Sequence, residues 1–240
     1  MRSSNPDTVQ RGLSSAGRAP ALQAGGRGFD PRRLHHIPFD GNCPSIIAGN
    51  LQRYGWSEFH SPGLARLSGK VSAMMSGLSM YPAQVRNPSG EGSDSFRQDR
   101  VCWLDGSQDS TPDRLMLACL HRIAEKVSRY CLLPLRSVQG HWAEYPPSGG
   151  YVRHSDSFAN GHNSRVLSAL IYWNGQWSPG DGGELVLHPT ESTSVTIAPR
   201  AGTCVLFLSE MEHEVLPSSK RRISTAAWFG SDQDSFLSGR

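Results

Sequence analysis

The chain has 240 residues, 37% of them hydrophobic and 19% charged, which is enough to bury one sizeable core. No apolar run approaches a membrane span, and the opening MRSSNPDTVQRGLSSAGRAP lacks the apolar centre of a secretory signal, so no membrane partner is expected. The formal charge of +3 comes from residues 1–36, which hold six arginines against two acids; the remainder, with 18 basic and 19 acidic residues, is near neutral and excludes a basic nucleic-acid surface.

Five cysteines at positions 43, 102, 119, 131 and 204 form no CxxC pair. They read as small buried hydrophobes in a reducing cytoplasm. Residues 1–40 read as a disordered or spurious extension, rich in Gly, Arg, Ser, Ala and Pro without apolar period. Within them, GGRGFDPRRLH carries Gly28-Phe29-Asp30-Pro31, which the common T-arm sequence of a transfer-RNA gene can encode in frame; a start codon placed too early would explain it.

Order is expected from 41 to 231, with a tail over 232–240. A helix is predicted over Ser45–Trp56, with Ser45 as N-cap and Gly55 as stop, and a second over Ser61–Leu78. The Gly/Ser/Asn-rich stretch 84–98 reads as a loop that can move. A third helix opens at Thr111-Pro112 as N-cap and N1 and stops before Pro134. Its apolar positions Met116, Leu120, Ile123, Val127 and Tyr130 keep helical period. Helical support thus spans 45–134.

From 136 to 229 the texture becomes β. Eight short runs, SVQGHWAEY, GYVRHSD, RVLSALIYWN, GELVLHP, TSVTIAP, GTCVLFLS, EHEVLP and RISTAAWF, are separated by turn residues. They predict a barrel or jelly-roll with the helices outside one sheet, a mainly β fold with flanking helices.

His154 and Asp156 in YVRHSD are two apart and leave the same face of a strand. His213 in EHEVLP supplies a third ligand, with Glu212 and Glu214 on the opposite face. Two histidines and a carboxylate on one side of an ion suit a borderline divalent metal with open positions, whereas a structural zinc site is closed by a fourth ligand. Nine residues beyond His213, Arg222 shares a strand face with Ser224, Ala226 and Trp228. An arginine facing a metal cavity calls for an anion, and its fork fits a carboxylate; a keto-dicarboxylic acid would satisfy arginine and metal together. Arg221 faces the other way and is expected in solvent.

The order HxD, distant His, then Arg nine residues later is similar to the 2-oxoglutarate- and Fe(II)-dependent dioxygenases. FRQDRVCWLDG, EYPPSGGYVRHSD, RVLSALIYWN, GGELVLHP and HEVLPSSKRRISTAAWF resemble the prolyl 4-hydroxylases among them, the EGL-nine or hypoxia-factor hydroxylases and their bacterial relatives, from Arg97 to Phe229. The resemblance implies a double-stranded β-helix and Fe(II) held by His154, Asp156 and His213. It implies 2-oxoglutarate held by Arg222 and Tyr172, with Tyr145 lining the same pocket, and Arg97, Asp99 and Arg165 beside the loop that closes over substrate. The implied reaction consumes O2 and 2-oxoglutarate, releases succinate and CO2, and hydroxylates a prolyl residue of a protein, with ascorbate as reductant and the enzyme a monomer.

Two departures stand out: Ser168 replaces a larger threonine-like residue, and NPSGEGSDSF does not match the hypoxia-factor hydroxylases. Other readings are the same chemistry on a free amino acid or small molecule, an AlkB-type nucleic-acid demethylase, and a metal-free binding module. The demethylases place their arginine farther on, near Gly230. His141, alternating with Gln139, reads as structural; His162 and His188 read as exposed turn residues, and the six tryptophans as core.

Deleting residues 1–36 should leave the melting temperature and turnover unchanged, because that segment cannot bury apolar surface. A truncated protein melting several degrees lower would contradict the extension reading.

Overall fold

A computed structural model describes residues 39, 42–83, 97–106, 110–157 and 165–231. The expectations for the extension, most of the 84–98 loop, His162 and the 232–240 tail lie outside them.

Four helices precede most of the β structure. Helix α1 (Pro44–Tyr54) starts on Cys43 with Pro44 in the first turn, rather than on Ser45. Proline needs no donor there, so it displaces the expected cap by two residues. Gly55 ends the helix in the left-handed region at φ 77°, as predicted. The second predicted helix is two pieces, α2 (Pro62–Ala65) and α3 (Ser68–Met75). Ser61 caps the first by accepting from the Leu64 N–H, and the chain turns through Arg66 and Leu67 before restarting at Ser68-Gly69, a weak helix pair.

Helix α4 (Thr111–Cys131) is capped by Ser110, whose hydroxyl accepts from Asp113, not by Thr111. It stops where Leu132 turns left-handed at φ 56°. Met116, Leu120, Ile123 and Val127 are buried as their period requires, whereas Tyr130 at the frayed end is exposed. No helix among the described residues is long and apolar enough to cross a membrane.

All eight predicted strands form: β4 (Ser137–Tyr145), β5 (Tyr151–His154), β6 (Arg165–Tyr172), β7 (Leu185–Thr190), β8 (Thr193–Ile197), β9 (Thr203–Leu208), β10 (Glu212–Val215) and β11 (Arg222–Gly230). Three more precede them, β1 (Trp56–His60), β2 (Tyr81–Pro82) and β3 (Arg100–Trp103). These three are edge additions too short or too polar to show a period; in β1 the inward positions are Ser57 and Phe59. The strands build a seven-stranded sheet, β1-β9-β6-β11-β4-β3-β2, and a four-stranded sheet, β5-β10-β7-β8, both antiparallel. The two sheets face each other in a jelly-roll.

Both faces of the large sheet are covered, so its strands lack simple polar alternation. One face sends Trp142, Leu167, Ala169, Ile171, Cys204, Leu206, Ile223, Ala227 and Phe229 into a core shared with Ile47 and Leu51 of α1 and Leu120, Ile123 and Val127 of α4. The other face looks at the small sheet. There Tyr172, Val205 and Phe207 meet Leu185, Leu187 and Ile197, and a cavity opens beyond them lined by His141, Tyr145, Ser168, Arg222, Ser224 and Trp228. Buried polar bonds fix the layers. The Trp142 indole donates to Asp113 at 2.7 Å, tying α4 to β4, and the Trp173 indole donates to Thr225 at 2.9 Å.

Ile123 is fully buried between α4 and the large sheet. Ile123→Ala should therefore lower unfolding free energy by about 2–5 kcal/mol, read as a lower denaturant midpoint at unchanged m-value. A loss below about 1 kcal/mol would show that this face is not packed as described.

Candidate active site

Strand β5 lies antiparallel to β10 with His154 directly opposite His213, so a cross-strand pair brings together histidines 59 positions apart. Asp156 follows two residues after His154, and one ligand atom from each of the three lies within 4.8 Å of the others. Each imidazole is fixed in the same way. His154 Nδ1 lies 2.8 Å from the Val152 carbonyl and His213 Nδ1 lies 3.0 Å from the Met211 carbonyl. A carbonyl only accepts, so each Nδ1 carries the proton and each Nε2 keeps a bare lone pair. Those Nε2 atoms face Asp156 at 3.9 and 3.7 Å. Glu212 and Glu214 point outward as expected, to Arg153 and His188.

Ser209 and Ser168 hold Asp156. The Ser209 carbonyl accepts the backbone N–H of Asp156 at 2.9 Å and of Ser157 at 3.0 Å. The Ser168 hydroxyl donates to Asp156 Oδ2 at 2.7 Å and lies 3.0 Å from the Ser209 hydroxyl. Burial works to raise the Asp156 carboxyl, but His213, His154 and Ser168 outweigh it and hold it below the ordinary carboxylate value. Burial, and then the neighbouring His213, pull His154 down to about 4. Two imidazoles and a carboxylate, with ring positions set from behind, fit a divalent cation of the Fe(II) type. No fourth His, Cys, Asp or Glu joins the group among the described residues, so open positions remain.

Arg222 lines the same cavity and is 1% exposed. Its Nε donates to the Gly183 carbonyl at 2.9 Å, and its terminal nitrogens reach the hydroxyls of Ser224 and Tyr172 at 3.4 Å each. The rings of Tyr145 and Tyr172 flank it, each with its centroid 5.0 Å from the guanidinium carbon. All these partners are neutral, and no carboxylate among the described residues pairs with it. Gly183 must be glycine: it sits at φ +74°, and a Cβ there would lie 2.9 Å from Ser218 and 3.2 Å from Arg222. Burial pushes the Tyr172 hydroxyl up to about 12 and the Tyr145 hydroxyl higher still, so both remain protonated donors. Tyr145 lines the cavity directly, whereas Tyr172 lies behind it and acts on Arg222. Arg221 faces the other way as expected, part-exposed and paired with Glu144.

Of the remaining sequence candidates, Arg97 and Asp99 line the cavity, whereas Arg165 stands outside its lining. Arg97 and Asp99 form a bidentate pair at 2.6 and 2.9 Å, with Asp99 3% exposed. Burial opposes the Arg97 charge, but Asp99 more than restores it. Arg97 also stacks over Tyr151, and Arg165 lies 4.1 Å over the Trp228 ring.

Some residues were not legible as site residues. His141, expected to be structural, lines the cavity; its position on the Ala143 and Tyr145 face of β4 was the available signal. Ser209 and the Gly183 carbonyl act through backbone groups, which residue type does not reveal. His188 is a strand residue 3.1 Å from Glu214 rather than an exposed turn, and Trp103 is 47% exposed rather than core. Cys43 is exposed, and Cys102 and Cys131 only half-buried.

Residues 140–230 match the family model of the 2OG-Fe(II) oxygenase superfamily. Among solved structures, the chain is similar to a Pseudomonas putida prolyl-4-hydroxylase at 29% identity and a TM-score of 0.69, over 79% of this chain and 99% of that one. It shares the fold of a Trichoplax adhaerens prolyl hydroxylase in complex with a hypoxia inducible factor oxygen degradation domain peptide fragment, at 21% identity, a TM-score of 0.69, and 82% and 93% coverage. It also shares the fold of the non-heme alpha ketoglutarate dependent epimerase SnoN from nogalamycin biosynthesis, at 16% identity, a TM-score of 0.59, and 78% and 80% coverage.

His213→Ala should abolish Fe(II) binding measured by anaerobic titration, because His154 and Asp156 alone leave a labile two-ligand site. Full metal occupancy in the variant would remove His213 from the ligand set.

Proposed function

We propose that this chain, whose residues 140–230 match the 2OG-Fe(II) oxygenase superfamily model, is a 2-oxoglutarate- and Fe(II)-dependent dioxygenase that hydroxylates a prolyl residue of a protein substrate. One observation carries the cosubstrate assignment: a guanidinium buried to 1% exposure with only neutral partners among the described residues, in the same cavity as the His154, Asp156 and His213 cluster. A buried charge needs a counter-charge, and the far carboxylate of a keto acid held in that cavity supplies one.

Fe(II), when bound, supplies the open positions at which O2 is reduced as 2-oxoglutarate loses CO2 to become succinate. The rest falls to the protein. His154 and His213 offer bare Nε2 atoms, and Asp156 offers the carboxylate that Ser168 holds in place. Arg222, aimed by the Gly183 carbonyl, takes the far carboxylate through its fork, while Tyr172 and Tyr145 remain neutral against it. Arg97, Asp99 and Trp228 line the same cavity and Arg165 covers Trp228; these are the groups left to meet an acceptor.

The prolyl acceptor is supported by the 29% identity with the Pseudomonas putida prolyl-4-hydroxylase over nearly all of that chain. The fold alone does not select it, since SnoN shares the fold. Ascorbate as reductant follows the same family reading, as does action on a protein rather than on free proline.

Arg222→Ala should separate the two ligands. Removing one side of a buried charge pair typically costs about 2–5 kcal/mol, roughly thirty- to several-thousand-fold in 2-oxoglutarate affinity, with Fe(II) binding intact. Arg222→Lys should recover only part of the loss, since a point charge lacks the fork. Wild-type 2-oxoglutarate affinity in the alanine variant, read from the metal-to-ligand band under anaerobic conditions, would contradict the assignment.

A further inference from the structure

His141 is 1% exposed, and neither of its ring nitrogens has a hydrogen-bond partner among the described residues. A buried polar group left unsatisfied is costly, and this one has two such atoms on a ring that lines the cavity. Its faces are taken. Trp103 packs edge-on with centroids 5.0 Å apart and Trp228 lies 5.2 Å away, so the ring is held in place while its nitrogens remain unfilled. Burial, helped by Arg97, holds the imidazole down to about 3. It is therefore neutral, with one N–H donor and one bare acceptor.

Position decides which ligand reaches it. Arg222 is opposite Tyr145 across β4 and β11, and Ala226 is opposite His141. Four residues of strand, about 13 Å, therefore separate the arginine level from the histidine level. The His141 ring packs against Trp228, which carries Arg165 at 4.1 Å and pairs across the sheet with Ser168, the serine that holds Asp156, so His141 adjoins the metal-ligand cluster rather than the arginine that anchors 2-oxoglutarate.

We propose that His141 is a specificity-determining residue that takes a main-chain amide of the acceptor. This rests on the prolyl reading above and narrows it to peptides. Proline has no N–H of its own, so the amide hydrogen closest along the chain to the target ring belongs to the residue that follows. The bare nitrogen of His141 accepts that hydrogen. Free proline has a carboxylate there and cannot supply it.

The test uses acetylated, amidated pentapeptides with a central proline, selected by a +16 mass shift with the wild-type enzyme. The best peptide is compared with its depsipeptide, in which the N–H after proline is replaced by an ester oxygen. In the wild type the ester should raise KM about tenfold. In His141→Phe the amide peptide should already show the higher KM, and the ester should cost nothing further. His141→Gln, which keeps an acceptor, should restore part of the difference.

Melting temperature and anaerobic 2-oxoglutarate affinity should remain at wild-type levels in His141→Phe, because an apolar ring of similar shape removes an unsatisfied group. An equal ester penalty in wild type and His141→Phe overturns the assignment and leaves prolyl hydroxylation standing. Hydroxylation of free L-proline with no peptide modified overturns both.

Discussion

A guanidinium inside a β-core is tolerable only if something negative joins it, and among the described residues the partners of Arg222 are two tyrosines, a serine and a backbone carbonyl. Much of the surrounding fold serves that one side chain. It sits at the start of β11, the strand between β4 and β6 at the centre of the large sheet. Tyr145 lies opposite it on β4, and Tyr172 lies opposite Ser224 on β6. The Gly182-Gly183 turn, with both residues at positive φ, brings a carbonyl to its Nε where any side chain would collide. The helices cover the reverse of the sheet, which frees the inner face to carry polar groups instead of the core.

The metal-binding cluster follows from a second constraint, the register of β5 on β10. Placing His154 opposite His213 turns two sequence-distant residues into neighbours, and a one-residue slip would send one ring to the outer face. Backbone carbonyls set both tautomers and two serines set the carboxylate. The cluster is thus shaped by groups that do not touch the ion.

This division explains what could be read from the sequence. The eight core strands, the HxD and His pattern and the inward row of Arg222, Ser224, Ala226 and Trp228 were legible because period two and spacing are properties of side chains. Helix caps were misplaced, by two residues at Cys43 and by one at Ser110, where local capping decides. The short strands β1 to β3 escaped because they borrow their register from neighbours. Ser209 and Gly183 escaped because they act through carbonyls. His141 was read as structural from its alternation with Gln139, and only the three-dimensional arrangement shows that it lines the cavity and that no described residue meets its nitrogens.

An anaerobic crystal structure with Fe(II) and 2-oxoglutarate tests the central claim most directly. It should place the ion on Nε2 of His154, Nε2 of His213 and the Asp156 carboxylate. The keto-acid end should complete the metal, and the far carboxylate should bridge Arg222 and the Tyr172 hydroxyl. A structure in which 2-oxoglutarate binds the metal while Arg222 keeps only its neutral partners would contradict the account.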